Sequence, residues 1–362
     1  MTGEISHNRR RFIGSATMAI VAAHLGMIGC AKAQSTIAIR LPVEAEFPSL
    51  GGATQWLNSD PLTAAGLRGK IVVINFWTFS CINSLRMLPY IRAWAAKYKA
   101  QGLVVIGVQA PEFTFEKNID NVRWAVKDLR LEYPIAIDND RTIWNAFNNE
   151  AWPALYFVDA KGHIRHHYFG EGEYAQAEAI IQQLLTEAGT GGGDHGLVSV
   201  DARGAEAAAD WASLKSPETY VGYERAENFA SPGGARSNTS RVYATPVRLS
   251  LNHWALSGDW TVGKQSIVLN QANGRIAYCF HARDLHLVMG PAVRGTSVRY
   301  RVLLDGQAPN AAHGVDVDDQ GNGTVIEQRL YQLIRQKEPI ADRQFEIEFL
   351  DSGAEAFDFT FG

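Results

Sequence analysis

The stretch IVVINFWTFSCINSLRMLP, residues 71–89, decides how this chain is interpreted. Its uniformly apolar start, residues 71–76, is typical of a strand that is covered on both faces. Trp77 and a short polar turn follow, and Cys81 then stands where a helix should begin. Because a helix N-terminus carries unpaired N–H groups and the positive end of the helix dipole, it favours a thiolate. We therefore predict that Cys81 is a reactive thiol whose pKa lies below its ordinary value.

Three residues later, where a redox dithiol keeps its second cysteine, the chain has Ser84. A lone cysteine can attack a disulfide and form a mixed disulfide, but a serine hydroxyl cannot then release the bound partner. A complete cycle would need a second thiol from solution. We expect Ser84 to donate a hydrogen bond to the Cys81 thiolate, and Glu112, Glu116 and Arg86 are charged residues that can tune the thiol.

The rest of the first half alternates strand and helix patterns. Apolar residues recur at helical spacing across residues 85–100, with Pro89 inside the helix. Further strands are predicted at residues 56–58, 103–108, 135–137, 154–158 and 163–169, and further helices at residues 115–129, 142–147 and 174–188. This order predicts an α/β domain whose mixed, mostly parallel sheet has helices on both faces.

The second half has a different pattern. A glycine-rich linker, GTGGGD, begins at Gly189 and leads into a polar, irregular segment. Short alternating strands then recur at regular spacing, which predicts an all-β sandwich of jelly-roll type. The predicted divisions are an export signal at residues 1–33, an α/β domain at 36–188, a linker and irregular segment at 189–245, and the β-sandwich at 246–362.

The N-terminus has the pattern of an export signal. The pair Arg9-Arg10 is followed by x-Phe-Ile and by a modestly apolar run across residues 13–29, which resembles a twin-arginine signal. Cleavage after Ala33 would release a periplasmic or exported protein. The alternative is processing before Cys30, which would leave a lipid anchor on that cysteine.

Several features together resemble the thioredoxin-like redoxins, and within them the periplasmic branch related to TlpA and to the soluble region of DipZ. They are the strand-to-turn motif Phe76-Trp77-x-x-x-Cys81, Pro89 in the following helix, the loop Trp152-Pro153, and the helical insertion at residues 113–147. The resemblance extends to the second half, because the DipZ soluble region also carries a carbohydrate-module-like β-sandwich. The chain departs from the family pattern where Ser84 replaces the second cysteine.

The resemblance implies a thioredoxin fold and gives roles to particular residues. Cys81 corresponds to the attacking thiol, and Ser84 occupies the second position of the active site. Pro153 corresponds to a cis proline that faces the thiol. Trp77, Trp152 and Pro153 are then expected to form the surface on which a substrate docks.

Three functions fit these features. The first is an exported thiol–disulfide oxidoreductase-like protein that acts by monothiol disulfide exchange through Cys81. The second is a redox-inactive thioredoxin-fold scaffold that presents a ligand- or carbohydrate-binding β-sandwich. The third is a peroxiredoxin-like peroxidase, because Thr78-x-x-Cys81 matches part of that signature, although Ile74 stands where the signature has proline.

The expected partners are protein or small-molecule disulfides and thiols, a redox partner that supplies electrons, and a carbohydrate at the sandwich. A net charge of −4 gives no basic surface for nucleic acid. No cofactor or metal is expected. The acidic segment at residues 316–327 is close to a calcium-loop pattern, but Gln320 and Gly323 depart from it, and a polar hairpin fits better.

Overall fold

A computed structural model of the chain describes residues 41–193 and 195–362. The predicted export signal, its cleavage after Ala33 and the alternative lipid anchor at Cys30 lie outside the described residues. None of the helices within the described ranges combines the length and apolar character that crossing a bilayer requires.

The first domain is an α/β domain built around one mixed sheet. Its elements are β1 (Ala45–Glu46), β2 (Gln55–Leu57), β3 (Ile71–Trp77), α1 (Ile82–Tyr98), β4 (Leu103–Gln109), α2 (Ile119–Asp128), β5 (Ile135–Ile137), α3 (Thr142–Ala146), β6 (Ala154–Val158), β7 (His163–Phe169) and α4 (Tyr174–Glu187). A 3-10 helix at Thr114–Lys117 precedes α2. The strands are ordered β1-β7-β6-β3-β4-β5-β2.

The expectation of a mostly parallel sheet is wrong. Only the pairs β3–β4 and β4–β5 are parallel, and the other neighbours in the described sheet are antiparallel. For β6 and β7 the reason is local, because a tight turn at residues 159–162 joins them, and a connection that short allows only antiparallel pairing.

Strand β3 is buried along its whole length and packs on both faces, as its sequence predicts. Val73 and Trp77 point into a core shared with α1 and α4, whereas Ile74 and Phe76 point into a second core that includes residues of α3. Each fully buried side chain of this size stabilises the fold by about 1.5–3 kcal/mol. The strand therefore fixes the position of the turn that follows it, which carries Cys81.

The second domain is an all-β sandwich. Its strands are β8 (Thr219–Tyr220), β9 (Ser240–Tyr243), β10 (Trp254–Val262), β11 (Ile267–Leu269), β12 (Gly274–Phe280), β13 (Asp284–Pro291), β14 (Val298–Leu304), β15 (Asn322–Val325), β16 (Arg329–Arg335), β17 (Arg343–Phe349) and β18 (Ala354–Phe361). The long β10 joins two antiparallel faces: its first half pairs with β12 and its second half with β9 and β11. Gly258 lies at the change of partner with a φ of 93°, where a Cβ would meet the Cα of Gly274.

The segment predicted to be irregular, residues 189–245, contributes two strands to this sandwich. Strand β8 pairs with β18, and β9 pairs with β10. The sheet therefore begins before residue 246, the predicted start of the second domain. Both strands are short, so their sequences carry little of the alternation by which longer strands are recognised.

The two domains share an apolar core. Phe357 of β18 lies between Phe113 and Phe115 of the first domain, with ring centroids 5.2 and 4.7 Å away. Val288 and Leu330 belong to the same buried cluster. Side chains of the sandwich therefore complete the hydrophobic core of the α/β domain.

Arg86 forms a buried ion pair within the first domain and also contacts the second domain. Arg86 in α1 pairs with Glu171 at 3.0 Å, and both side chains are almost inaccessible to solvent. The second terminal nitrogen of Arg86 donates to the carbonyl of Phe361 in β18 at 3.3 Å. The active-site helix is thus anchored directly to the last strand of the sandwich.

Candidate active site

Cys81 is the N-cap residue of α1, directly after the turn that follows β3. Its carbonyl accepts the first bond of the helix, from the N–H of Leu85 at 3.0 Å. The residue is partly exposed and its thiol is free. The sulfur therefore lies at the start of the helix, as the sequence predicts.

Ser84 lies under the thiol in the first turn of α1. Its side chain is buried, and its Oγ accepts a hydrogen bond from the N–H of Thr78 at 3.4 Å. Both its hydroxyl and its backbone N–H donate toward the Cys81 sulfur, which lowers the thiol pKa.

The predicted lowering of the Cys81 pKa is nevertheless wrong. Burial of the sulfur raises the pKa well above its ordinary value, and the charges of Glu112 and Glu218 raise it further. Glu218 belongs to the second domain and lies 137 residues away in sequence, so the sequence pattern around Cys81 contains no sign of it. The resting side chain is a protonated thiol at neutral pH.

The loop opposite the thiol has the conformation that the resemblance implies. The Trp152–Pro153 peptide is cis, and the carbonyl of Trp152 lies 4.0 Å from the Cys81 sulfur. The Trp152 indole donates to the carbonyl of Ala110 at 2.9 Å, and the guanidinium of Arg141 stacks on its ring. Trp152 is partly exposed, whereas Pro153 is buried directly before β6.

Trp77 does not line a docking surface, which corrects the expectation from sequence. Its side chain is fully buried, with its ring nitrogen in the core between β3 and β4. The reason is the alternation of β3, which points residue 77 inward together with Val73. Trp77 can support the active-site turn from below but cannot contact a substrate in this structure.

Glu116 ties the active-site turn to the insertion. This buried carboxylate accepts from the hydroxyls of Thr78 and Ser80 and from the backbone N–H groups of Glu112 and Phe113. Burial raises its pKa despite these donors. Glu116 thus ties the turn directly before Cys81 to residues 112 and 113.

Glu112 connects the two domains beside the thiol. It accepts from the hydroxyl of Tyr220 at 2.7 Å and pairs with Arg225 at 3.0 Å, and both partners belong to the second domain. The guanidinium of Arg225 also lies 3.4 Å from the centre of the Tyr220 ring. Tyr220 and Arg225 were not found from sequence, because nothing in their local pattern marks them.

The large aromatic residues of the second domain's strands are in the core. Trp254, Trp260 and Tyr278 are essentially inaccessible to solvent and pack between the two faces of the sandwich. His286 is also buried, and burial lowers its pKa to about 3. These rings stabilise the domain and offer no surface on which a sugar can stack.

The acidic segment before β16 is a polar hairpin. The carboxylate of Asp318 accepts from the N–H groups of Gln320 and Asn322, and Asp316 pairs with Arg329. The carboxylates of Asp316 and Asp318 thus bind groups of the hairpin and of the strand that follows it. Among the described residues, no group of three or more His, Cys, Asp or Glu side chains is arranged to hold a metal ion.

Two known families match successive parts of the chain. Residues 44–167 match the AhpC/TSA family, and residues 216–362 match the thioredoxin-like C-terminal domain family. The second match begins just before β8, in agreement with the strand pairing.

The chain is also similar to named proteins. DipZ of Mycobacterium tuberculosis is 36% identical over 289 residues, which cover 78% of this chain and 41% of DipZ. The thiol-disulfide oxidoreductase YkuV of Bacillus subtilis is 28% identical over 141 residues, covering 39% of this chain and 95% of YkuV. The chain thus spans less than half of the length of DipZ.

Among solved structures, a thioredoxin-like protein in its oxidized form is 28% identical with a TM-score of 0.37. The match covers 40% of this chain and 96% of that protein.

Proposed function

We propose that this chain catalyses thiol–disulfide exchange through Cys81 alone. Support comes from its two halves, which match the AhpC/TSA family and the thioredoxin-like C-terminal domain family, and from its similarity to DipZ and to thiol-disulfide oxidoreductases. Its substrates are thiols or disulfides, as the relatives imply. The observation that carries the proposal is the placement of Cys81 at the start of α1, with the sulfur 4.0 Å from the Trp152 carbonyl of the cis Trp152–Pro153 loop.

The exchange proceeds in two balanced steps. The Cys81 thiolate attacks one sulfur of the substrate disulfide, so that one S–S bond breaks, a mixed disulfide forms, and the departing thiolate takes up a proton. A thiolate from an external thiol then attacks the substrate sulfur of the mixed disulfide, so that the bond to Cys81 breaks, the Cys81 thiolate is regenerated and the external sulfur is left bonded to that half of the substrate. Complete reduction of the substrate disulfide needs two electrons from two external thiols, which leave as a disulfide, and Ser84 takes no part in the electron transfer.

A dedicated redox partner would supply these electrons. Because the Cys81 pKa lies above its ordinary value, the thiolate fraction is small at neutral pH and grows as the pH rises. The exchange rate should therefore increase with pH beyond the range in which an ordinary thiol has already titrated. A partner that neutralises the local negative charge would accelerate the reaction.

The proposal is tested with a small aromatic disulfide that releases a coloured thiolate. We expect one equivalent of release and a single mixed-disulfide mass on Cys81 for the Cys279→Ser variant, because Cys279 is the other free cysteine in the described part of the chain. Turnover should appear only when a second thiol is added. Absence of an adduct on Cys81 at every pH, or an adduct confined to Cys279 in the unmodified protein, would overturn the proposal.

For location, we propose export by the twin-arginine route followed by cleavage after Ala33. Support comes from the sequence of the N-terminus, where Arg9-Arg10 precedes a modestly apolar run. The variant Arg9→Lys with Arg10→Lys should retain the precursor in the cytoplasm. The mass of the processed protein separates cleavage after Ala33 from a lipid anchor at Cys30.

A carbohydrate remains a candidate ligand of the second domain. With Trp254, Trp260 and Tyr278 in the core, a stacking surface would have to use exposed rings such as Trp211 or Tyr223. Calorimetric titration with a panel of oligosaccharides tests this, with Tyr223→Ala and Trp211→Ala as the variants expected to lose binding.

A further inference from the structure

A cavity lies at the end of the first domain's sheet that is far from Cys81. It has a volume of about 650 Å³ and is enclosed by the last two turns of α1, the start of β4 and the segment that joins α2 to β5. Lys70 lies on its rim, and the seven residues of β3 follow directly and end before the turn that carries Cys81. At about 3.3 Å for each residue, the strand separates the cavity from the active site by roughly 20 Å. The cavity is therefore not part of the active site.

The inner lining of the cavity is largely apolar. Among its side chains are Ala95 and Ala96 of α1, Val104 of β4 and Pro134 before β5. All four are at least partly exposed, so the fold leaves apolar surface uncovered here. Sites that hold small organic ligands in proteins have volumes of roughly 300–1,000 Å³ and a mostly apolar lining. The cavity thus has the size and the lining to take up the apolar body of a small molecule.

The rim of the cavity has an excess of positive charge. Lys70, Lys99 and Arg130 line it, are exposed, and form no ion pair with any residue in the part of the chain that the structure describes. Glu132 is an exposed carboxylate on the same rim. The carbonyl end of α1 adds a partial negative charge of about one half. Three cations therefore outweigh one carboxylate and the end of the helix.

Arg92 forms part of the same wall but contributes no excess charge. Its two terminal nitrogens donate to the carboxylate of Glu206 at 2.7 and 2.8 Å, and one of them also donates to the carbonyl of Leu129 at 3.0 Å. These bonds neutralise the guanidinium and hold it in place. The groups that can bind an anion are thus the three exposed cations, whose long side chains can turn toward a ligand.

We propose that this cavity binds a small amphipathic anion, a molecule with an apolar body and one carboxylate or phosphate group. The apolar body covers Ala96 and Val104, and removal of this surface from water favours binding. The anionic group lies at the rim, where Lys70 and Lys99 donate charge-assisted hydrogen bonds to it. The site is separate from Cys81, so ligand binding here does not depend on thiol–disulfide exchange.

The test measures the binding of decanoate to the unmodified chain by calorimetric titration at low salt, below the concentration at which micelles form. Two comparison ligands each lack one part of the expected match: decyltrimethylammonium has the same chain with a cationic head, and acetate has the head without the chain. We expect decanoate to bind about tenfold more tightly than either of them. Absence of decanoate binding, or an affinity equal to that of either comparison ligand, would overturn the inference.

Variants locate the binding site. Lys70→Gln combined with Lys99→Gln should weaken decanoate binding about tenfold, because two cations of the rim are lost. Ala96→Phe should weaken it as well, because the new ring occupies the cavity while the charges remain. Arg248→Gln combined with Lys337→Gln is the matched control, which removes two exposed cations of the second domain and should preserve the affinity. Decanoate binding that survives both cavity variants would overturn the inference.

A free molecule and a lipid of a bilayer can present the same chemistry, and sedimentation with vesicles separates these two sources. We expect the protein to stay in the supernatant in the presence of phosphatidylglycerol vesicles at a protein concentration at which it binds decanoate. Co-sedimentation that is lost in the variant of Lys70 and Lys99, and kept in the variant of Arg248 and Lys337, would overturn the assignment to a free small molecule.

Discussion

At the scale of single residues, Cys81 experiences opposing effects of different size. The helix N-terminus favours the thiolate by about 0.3–1 kcal/mol, and the two donors of Ser84 act in the same direction. Desolvation can shift a buried group by as much as about 3–5 pKa units, and the charges of Glu112 and Glu218 add to it. Desolvation and the two carboxylate charges outweigh the helix N-terminus and Ser84, so the pKa of the Cys81 thiol rises.

Replacing Ser84 by cysteine should convert the site from one that accumulates adducts into one that releases them. The new thiol would lie in the first turn of α1, where the Ser84 hydroxyl already reaches the Cys81 sulfur. We expect the mixed disulfide of Ser84→Cys to resolve without added thiol, leaving an intramolecular disulfide that is seen as a loss of two mass units. Ser84→Ala is the matched control and should keep the adduct. Persistence of the adduct in Ser84→Cys would contradict this geometry.

Asp358 should make the stability of the protein depend on pH. Its folded-state pKa is raised above the ordinary 3.8, so the folded state holds the proton more tightly than the unfolded chain. This contribution to stability is fully present below about pH 4 and is lost as the pH rises through the raised value. Urea unfolding should therefore show that Asp358→Asn gains stability relative to the unmodified protein between pH 4 and pH 8. A difference that stays constant with pH, or the same trend in the exposed control Asp319→Asn, would contradict this assignment.

Some of these residues could be predicted from sequence and others could not. Cys81 and the Trp152–Pro153 loop were found because each lies in a short local motif next to a strongly apolar strand. The burial of Trp77 follows from the alternation of side chains along β3, which can be predicted from the sequence. The family resemblance instead suggested that Trp77 lines the site. The effect of Glu218 depends on a contact between domains, and no local pattern encodes such a contact.

At the scale of elements, α1 depends on a buried ion pair at its first turns. Arg86 is enclosed between Glu171 and the end of β18, and its Nε atom has no hydrogen-bond partner. A buried pair of this kind adds little net stability over an apolar replacement, but losing one partner leaves an uncompensated charge. The pair therefore holds Arg86 in place more than it strengthens the fold, and Arg86 in turn binds the carbonyl of Phe361 in the sandwich.

Removal of one partner should cost more than removal of both. Arg86→Ala should lower the free energy of unfolding by about 3–5 kcal/mol, because it leaves the Glu171 carboxylate buried and unpaired. The double variant Arg86→Ala with Glu171→Gln should recover part of this loss. Urea unfolding of the two single variants and the double variant gives the coupling energy. Additive losses would show that the two side chains do not act as a pair.

The elements themselves differ in how readily they can be predicted. Strands such as β3 and β4 are long and uniformly apolar, because they are covered on both faces, and their limits were close to those observed. Strands β8 and β9 are two and four residues long, and partners far away in sequence stabilise them. The antiparallel pairing of β6 with β7 follows from the short turn between them, whereas the direction of β6 beside β3 is not specified by a strand pattern.

At the scale of the whole molecule, the two domains form a single structural unit. The aromatic cluster of Phe113, Phe115 and Phe357 is shared between them, and Glu112 adds polar contacts to Tyr220 and Arg225. Unfolding of either domain would expose apolar surface of the other. We therefore expect the chain to unfold in one cooperative transition.

Phe357→Ala should uncouple the two halves. Truncation of this buried ring should cost about 3–5 kcal/mol and should weaken the shared core at its centre. We expect one calorimetric peak for the unmodified protein and two for the variant. Phe345→Ala is the matched control, because Phe345 is buried only in the sandwich core, and it should lower the melting temperature while preserving a single peak. Two peaks in the unmodified protein would show that the domains unfold independently.

The shared aromatic cluster also decides whether the α/β half of the chain can be produced as a separate reagent. A fragment that stopped after α4 would present Phe113 and Phe115 to water, and such a bare apolar face promotes self-association. A soluble reagent made from this half would need polar replacements at those two rings, or would have to keep the sandwich as a permanent fusion partner.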